Sequence, residues 1–123
     1  MTEAQRMQKR SFETPDEQRP AGTARADIVN LGNVTMMRMT AQPGWRWSTD
    51  VKPIAKTDSC QAPHMQYMVS GRMHVVMDDG SEEDFSAGDV VVLPPGHDAW
   101  VVGNETVVAI DISGSGVWAK PGQ

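Results

Sequence analysis

Between residues 27 and 112 the sequence consists of short runs rich in valine and other β-branched residues, and each run ends at turn-forming residues. Gly32-Asn33, Asp79-Gly80 and Pro94-Pro95-Gly96 are the clearest of these turns. Valine occurs 14 times in the 123 residues and leucine only twice, whereas leucine is the usual filler of helical cores. The pattern therefore predicts a single all-β domain of nine or ten short antiparallel strands, arranged as a sandwich or a barrel.

The first 26 residues differ from the rest of the chain because they are polar and contain two prolines. We expect residues 1–26 to form an extended or partly disordered N-terminal arm and residues 27–123 to form the barrel. Phe12 is the only aromatic residue of this arm and is expected to anchor it, on the barrel or on a neighbouring subunit. The expected strands are 27–31, 34–41, 51–57, 64–70, 72–77, 82–85, 90–93, 99–102 and 106–112.

Charge and cysteine content narrow the partners that this chain could have. The net charge is −5, and no cluster of lysine or arginine occurs after the first 25 residues, so neither nucleic acid nor an anionic membrane is an expected partner. The single cysteine cannot form a disulfide within the chain. No apolar run approaches the ~20 residues of a membrane-spanning helix, and residues 1–10 lack the apolar stretch of a signal peptide. We therefore expect a cytoplasmic protein.

Four residues carry side chains that bind transition metals: Asp58, Cys60, His64 and His97. Asp58 and Cys60 are two residues apart, so on an extended segment both would point to the same side. His64 begins the next expected strand after a short loop, close enough to meet them. The alternative is structural: Cys60 as a small buried side chain, Asp58 as a turn cap and His97 as an exposed turn residue.

The stretch from Gly88 to His97 resembles the second conserved motif of the cupin superfamily. Gly88, Pro94 and Gly96 match the glycine, proline and second glycine of that motif in spacing. Ala99 occupies the position of the motif's histidine, and His97 lies two residues before it. The resemblance implies that His97 supplies the ligand that is missing at Ala99.

Residues 67–72 resemble the strand and closing glycine of the first cupin motif. In that register His64 takes the motif's glutamate position, while Cys60 and Asp58 take its two histidine positions. The resemblance implies a cupin-like β-barrel or jelly roll, often a homodimer, with one divalent metal ion per chain at its centre. A carboxylate, a thiolate and two imidazoles suit tetrahedral zinc, with iron and nickel as the other candidates.

Large apolar side chains and one amide are expected to line a cavity beside this site. They are Trp45, Trp47, Gln66, Met68 and Trp100, although plain core packing explains the apolar ones equally well. Three hypotheses remain open for function. The chain is a small metal-dependent enzyme, of oxygenase, isomerase or lyase type, acting on a small organic molecule in the cavity. Alternatively it is a non-catalytic small-molecule or metal sensor, or a barrel that holds no metal.

Overall fold

The computed structural model describes residues 6–112 and 118–121, which form nine β-strands and two short helices. The strands build a six-stranded sheet in the order β1-β2-β3-β9-β4-β7 and a three-stranded sheet in the order β6-β5-β8, and every pairing is antiparallel. The expected all-β architecture is therefore confirmed. The elements in chain order are β1 (Glu17–Ala21), β2 (Ala24–Leu31), β3 (Val34–Ala41), α1 (Trp47–Asp50), α2 (Lys52–Ala55), β4 (His64–Ser70), β5 (Arg72–Met77), β6 (Glu82–Ser86), β7 (Val90–Leu93), β8 (His97–Val101) and β9 (Val107–Asp111).

Both sheets contribute to one core because buried and exposed residues alternate along their strands. On β8, His97, Ala99 and Val101 are buried while the residues between them are partly exposed. The six-stranded sheet adds Met37, Met68 and other inward residues to the same cluster. A core enclosed by two antiparallel sheets in this way is the interior of a jelly-roll barrel.

The stretch 51–57 was expected to form a strand, and this expectation is wrong. Trp47, Val51 and Ala55 are all buried and lie four residues apart, which is the spacing of one face of a helix. Pro53 lies in the first turn of α2, where its missing N–H costs no helical hydrogen bond. Both helices have only four residues. No helix among the described residues is long and apolar enough to cross a membrane.

The six-stranded sheet begins at Glu17, ten residues before the boundary expected between arm and barrel. Pairing of β1 with β2 along its whole length brings Ala21 and Ala24 into the core, so the arm is shorter than the polar composition indicated. Residues 6–16 contain no strand or helix. Phe12 lies under the guanidinium of Arg38, which is 5.3 Å from the ring centroid, so this residue anchors the segment on β3.

Apolar side chains also cover part of the outer surface of the six-stranded sheet. We call this surface the outer apolar face. It is formed by Met65, Tyr67, Val69, Val90, Val92 and Ile112, all at least 47% exposed. Met65 lies opposite Val92, and Tyr67 opposite Val90, in the pairing of β4 with β7. Strand β7 is the edge of the sheet, so its second side has no strand partner among the described residues.

Candidate metal centre

Three of the four expected ligands meet inside the barrel. The ligand atoms of Cys60, His64 and His97 all lie within 4.8 Å of one another, and all three side chains are buried. His64 begins β4 of the six-stranded sheet and His97 begins β8 of the three-stranded sheet. Their ring centroids are 5.3 Å apart. The site therefore lies where the two sheets come together.

Backbone hydrogen bonds hold Cys60 directly beside His97. The Cys60 N–H donates to the His97 carbonyl at 2.7 Å, and the Gly96 N–H donates to the Cys60 carbonyl at 2.7 Å. Asp58, expected as the fourth ligand, is exposed and lies outside the group. The chain bends through residues 57–59, so the two-residue spacing does not place Asp58 and Cys60 on the same side.

A buried carboxylate supports His64 from behind. Nδ1 of His64 contacts Oδ2 of Asp111, and Nε2 of Gln66 donates to the same oxygen at 3.2 Å. Because a carboxylate oxygen accepts, Nδ1 carries the proton, and the lone pair of His64 is on Nε2. Nε2 faces Cys60 Sγ at 3.8 Å. A histidine held by a carboxylate in this way is typical of metal ligands.

His97 is oriented in the same manner by a backbone carbonyl. Its Nδ1 donates to the carbonyl of Pro94 at 2.9 Å, which leaves Nε2 with the available lone pair. Burial is the main reason that the pKa of His97 is lowered to about 4. The ring is therefore neutral at pH 7, the form in which imidazole binds a metal.

The donor set fits a tetrahedral metal ion. Zinc bound to sulfur at ~2.3 Å and to nitrogen at ~2.05 Å places those two ligand atoms about 3.6 Å apart at a tetrahedral angle. The distance from Cys60 Sγ to His64 Nε2 is 3.8 Å, so these two atoms need to move very little. An ion held there would act as a Lewis acid with three protein ligands and one further position.

The cavity beside these ligands is small. Measured as the space open to the centre of a water molecule, its volume is ≈ 20 Å³, where a single water needs about 10–15 Å³. The expected cavity residues Trp45, Trp47 and Gln66 line it, whereas Met68 is buried in the core without lining it. Trp100 does not line it either. Trp100 is one of the partly exposed residues that alternate with buried ones along β8. Its ring stacks with the guanidinium of Arg46, whose central carbon lies 4.1 Å from the ring centroid.

Two residues of the site were missed in the sequence. Asp111 has no exposed surface and follows Val107 and Ala109 on the inward side of β9. An acidic residue at an inward position of a strand is unusual, and this was the signal in the sequence that could have identified it. Trp118 lines the cavity, and its carbonyl accepts a hydrogen bond from Arg19 at 2.8 Å. No periodic pattern connects Trp118 to the barrel strands, so the sequence alone offered no signal for it.

Structural comparison places the chain among known cupin folds. A protein of unknown function from Rhizobium leguminosarum bv. viciae 3841 is similar over 88% of this chain and 96% of its own, with a TM-score of 0.63 and 20% identity. A cupin-like protein from Thermotoga maritima covers 79% of this chain and 77% of its own, with a TM-score of 0.53 and 17% identity. Oxalate decarboxylase is similar over 80% of this chain but only 28% of its own, with a TM-score of 0.52 and 23% identity. At these identities the likeness shows the fold alone.

Sequence comparison identifies the family. No curated protein matches this chain significantly. The family model of the EutQ-like cupin domain matches residues 31–118, which is most of the chain and contains all three clustered ligands. The superfamily that the two motifs indicated is therefore confirmed. On this evidence the chain belongs to the family of EutQ-like cupin domains.

Proposed function

We propose that this protein binds one divalent metal ion per chain through Cys60 Sγ, His64 Nε2 and His97 Nε2. The observation that carries the proposal is the convergence of these three buried side chains within 4.8 Å. Asp111 and the Pro94 carbonyl support it further, because each engages the Nδ1 of one histidine and so directs its Nε2 toward the centre.

Zinc is the metal that we propose. One thiolate and two neutral imidazoles are common ligands of tetrahedral zinc, while iron and nickel are the alternatives. The single cysteine cannot form a disulfide within the chain, which suits a reducing compartment, and we propose a cytoplasmic location on this ground.

We further propose that the centre belongs to a small metal-dependent enzyme. Three protein ligands leave a fourth position for a small molecule, as in catalytic zinc sites. The ion would polarise that molecule. Asp111 holds His64 in its ligating orientation, and the tryptophans Trp45, Trp47 and Trp118 exclude bulk water from the cavity.

A second function, a non-catalytic metal or small-molecule sensor, is supported by the size of the cavity. A space of ≈ 20 Å³ accommodates an organic substrate only if the surrounding tryptophans move. X-ray absorption of the zinc-loaded protein separates the two functions. One sulfur, two imidazoles and one further light ligand would support the enzyme, whereas a fourth protein ligand would support a closed site that only binds.

Metal content and affinity test the proposed ligands. The protein is purified without a histidine tag and titrated with Zn²⁺ against a chromophoric chelator. We expect one zinc per chain, and at least a tenfold loss of affinity in Cys60→Ser and His64→Ala. Asp58→Asn is the matched control, because this exposed carboxylate lies outside the cluster and its loss should leave affinity unchanged. A metal-to-chain ratio near zero in the wild type would overturn the proposal.

A further inference from the structure

One buried hydrogen-bond donor beside the proposed metal centre has no acceptor within the part of the chain that the structure describes. Trp47 is 1% exposed and lines the same cavity as Cys60, His64 and His97. Its Nε1 is buried, and no hydrogen-bond partner for it exists among the described residues. Buried N–H groups are nearly always satisfied in folded proteins, so this exception requires an explanation.

The neighbouring tryptophan shows that the fold can satisfy an indole at this site. Trp45 lines the same cavity, and its Nε1 donates to the carbonyl of Ala21 at 3.1 Å. Other donors in the cavity wall also have acceptors within the protein. Gln66 donates to Asp111, and His97 donates to Pro94. The free donor on Trp47 is therefore a local feature and not a general property of loosely packed walls.

We infer that the Trp47 indole N–H donates a hydrogen bond to a small ligand at the fourth position of the metal centre. This inference rests on the proposed metal site. The ligand class is water or a small anion whose acceptor atom lies beside its metal-binding atom. A cavity of ≈ 20 Å³ has room for a group of this size but not for a ring or a sugar. The indole thus selects ligands with a lone pair facing Trp47.

Azide binding to the cobalt-loaded protein tests this role. Cobalt reports its coordination through its visible spectrum, and azide offers an acceptor nitrogen next to the metal. We expect Trp47→Phe to keep its cobalt affinity but to bind azide roughly tenfold to a hundredfold more weakly, because a hydrogen bond to a charged ligand is lost. Trp100→Phe is the matched control. It replaces a tryptophan that stacks on Arg46 outside the cavity, so azide affinity should stay the same.

Nuclear magnetic resonance of the wild type provides a second measurement that needs no variant. In the zinc-loaded protein, the assigned Nε1 proton of Trp47 should shift downfield when azide is added. Equal azide affinity in Trp47→Phe and the wild type, an unmoved Trp47 resonance, or no azide binding at all would each overturn the inference while leaving the metal site standing. Failure of the wild type to bind cobalt or zinc would overturn the proposed function, and the inference with it.

Discussion

Asp111 is the residue whose replacement should most clearly separate metal binding from folding. Its carboxylate contacts His64 Nδ1 and accepts a hydrogen bond from Gln66, and it has no exposed surface. In Asp111→Asn the side chain keeps its volume but loses the charge that orients the imidazole. We expect zinc affinity to fall about tenfold to a hundredfold, measured by chelator competition. If Asp111→Asn bound zinc with an affinity within twofold of that of the control Asp58→Asn, this role of Asp111 would be contradicted.

A second buried carboxylate makes stability depend on pH. Asp27 has no exposed surface and accepts hydrogen bonds from Gln18 at 2.9 Å and from Arg38 at 3.0 Å. Arg25 forms an ion pair with the same carboxylate at 3.2 Å. Burial alone would raise the pKa of Asp27. The hydrogen bonds from Gln18 and Arg38 and the charges of Arg25 and Arg38 outweigh burial, so the pKa lies below the usual 3.8.

The sign of the pH effect follows from the lowered pKa of Asp27. The stability that its charge contributes is present above about pH 4 and is lost as the pH falls through the folded-state pKa. We expect Asp27→Asn to be less stable by about 2 kcal/mol at pH 7 and by less at pH 3, measured by urea unfolding. An equal deficit at both pH values would contradict this. Asp58→Asn, at an exposed position, is the control.

At the residue scale, the sequence predicted the three clustered metal-binding residues better than it predicted the residues around them. Cys60 and His64 could be proposed because the cupin register and their chemistry agree, and His97 because it lies two residues before the register's histidine position. Asp58 was placed incorrectly because its position depended on a locally extended chain, and a bend at 57–59 cannot be inferred from a two-residue spacing. Asp111 comes from a strand 47 residues after His64, and such long-range pairing is not encoded in any local pattern.

At the element scale, four strands have the bounds that the sequence predicted. These are β3, β4, β5 and β7, each limited by glycine, proline or an aspartate turn. The segment from Trp47 to Ala55 was predicted incorrectly because two helices of four residues are too short to produce a clear helical period. Strand β1 was missed because polar residues on an edge strand resemble those of a disordered arm.

The turn before β8 should control how well the site holds its metal. Gly96 has φ +95°, and a Cβ there would lie 2.8 Å from Oδ2 of Asp78. Gly96→Ala should destabilise the fold by about 1–2 kcal/mol and also lower zinc affinity, because Gly96 precedes His97 and its N–H bonds to Cys60. Gly88→Ala is a matched control at φ +94°, where a Cβ meets nothing within 4 Å.

Thermal unfolding and zinc titration of both glycine variants check this prediction. Gly88→Ala should lose stability through backbone strain but keep the zinc affinity of the wild type. If both variants lost affinity equally, general destabilisation and not the geometry of this turn would be the cause.

At the scale of the whole molecule, we propose that the outer apolar face joins two copies of the chain. Its six side chains expose on the order of 600 Å² per chain, so a two-fold pair would bury more than the ~1,000 Å² that a specific interface needs. A single chain rarely leaves an apolar surface of this size in water. The edge strand β7 lies within this face, and its outer side, which has no strand partner in the described part of the chain, is available to the second copy.

Charge placed in this face should separate the copies. Val92 is 74% exposed and lies opposite Met65, so Val92→Glu should convert a dimer into a monomer in analytical ultracentrifugation. Val34→Glu is the control, since Val34 is also exposed but begins β3, away from the outer apolar face. A monomeric wild type, or a Val92→Glu variant that remains dimeric, would contradict the proposed interface.

The position of His64 and His97 on different sheets has a consequence for the lifetime of the protein. A metal ion bound by both would be a cross-link between the two halves of the barrel, so the native state would gain free energy with every increase in free metal. At a free concentration a thousandfold above the dissociation constant, this gain is about 4 kcal/mol. Proteases degrade mainly the unfolded chain, so the amount of this protein that survives in a cell would follow the metal supply.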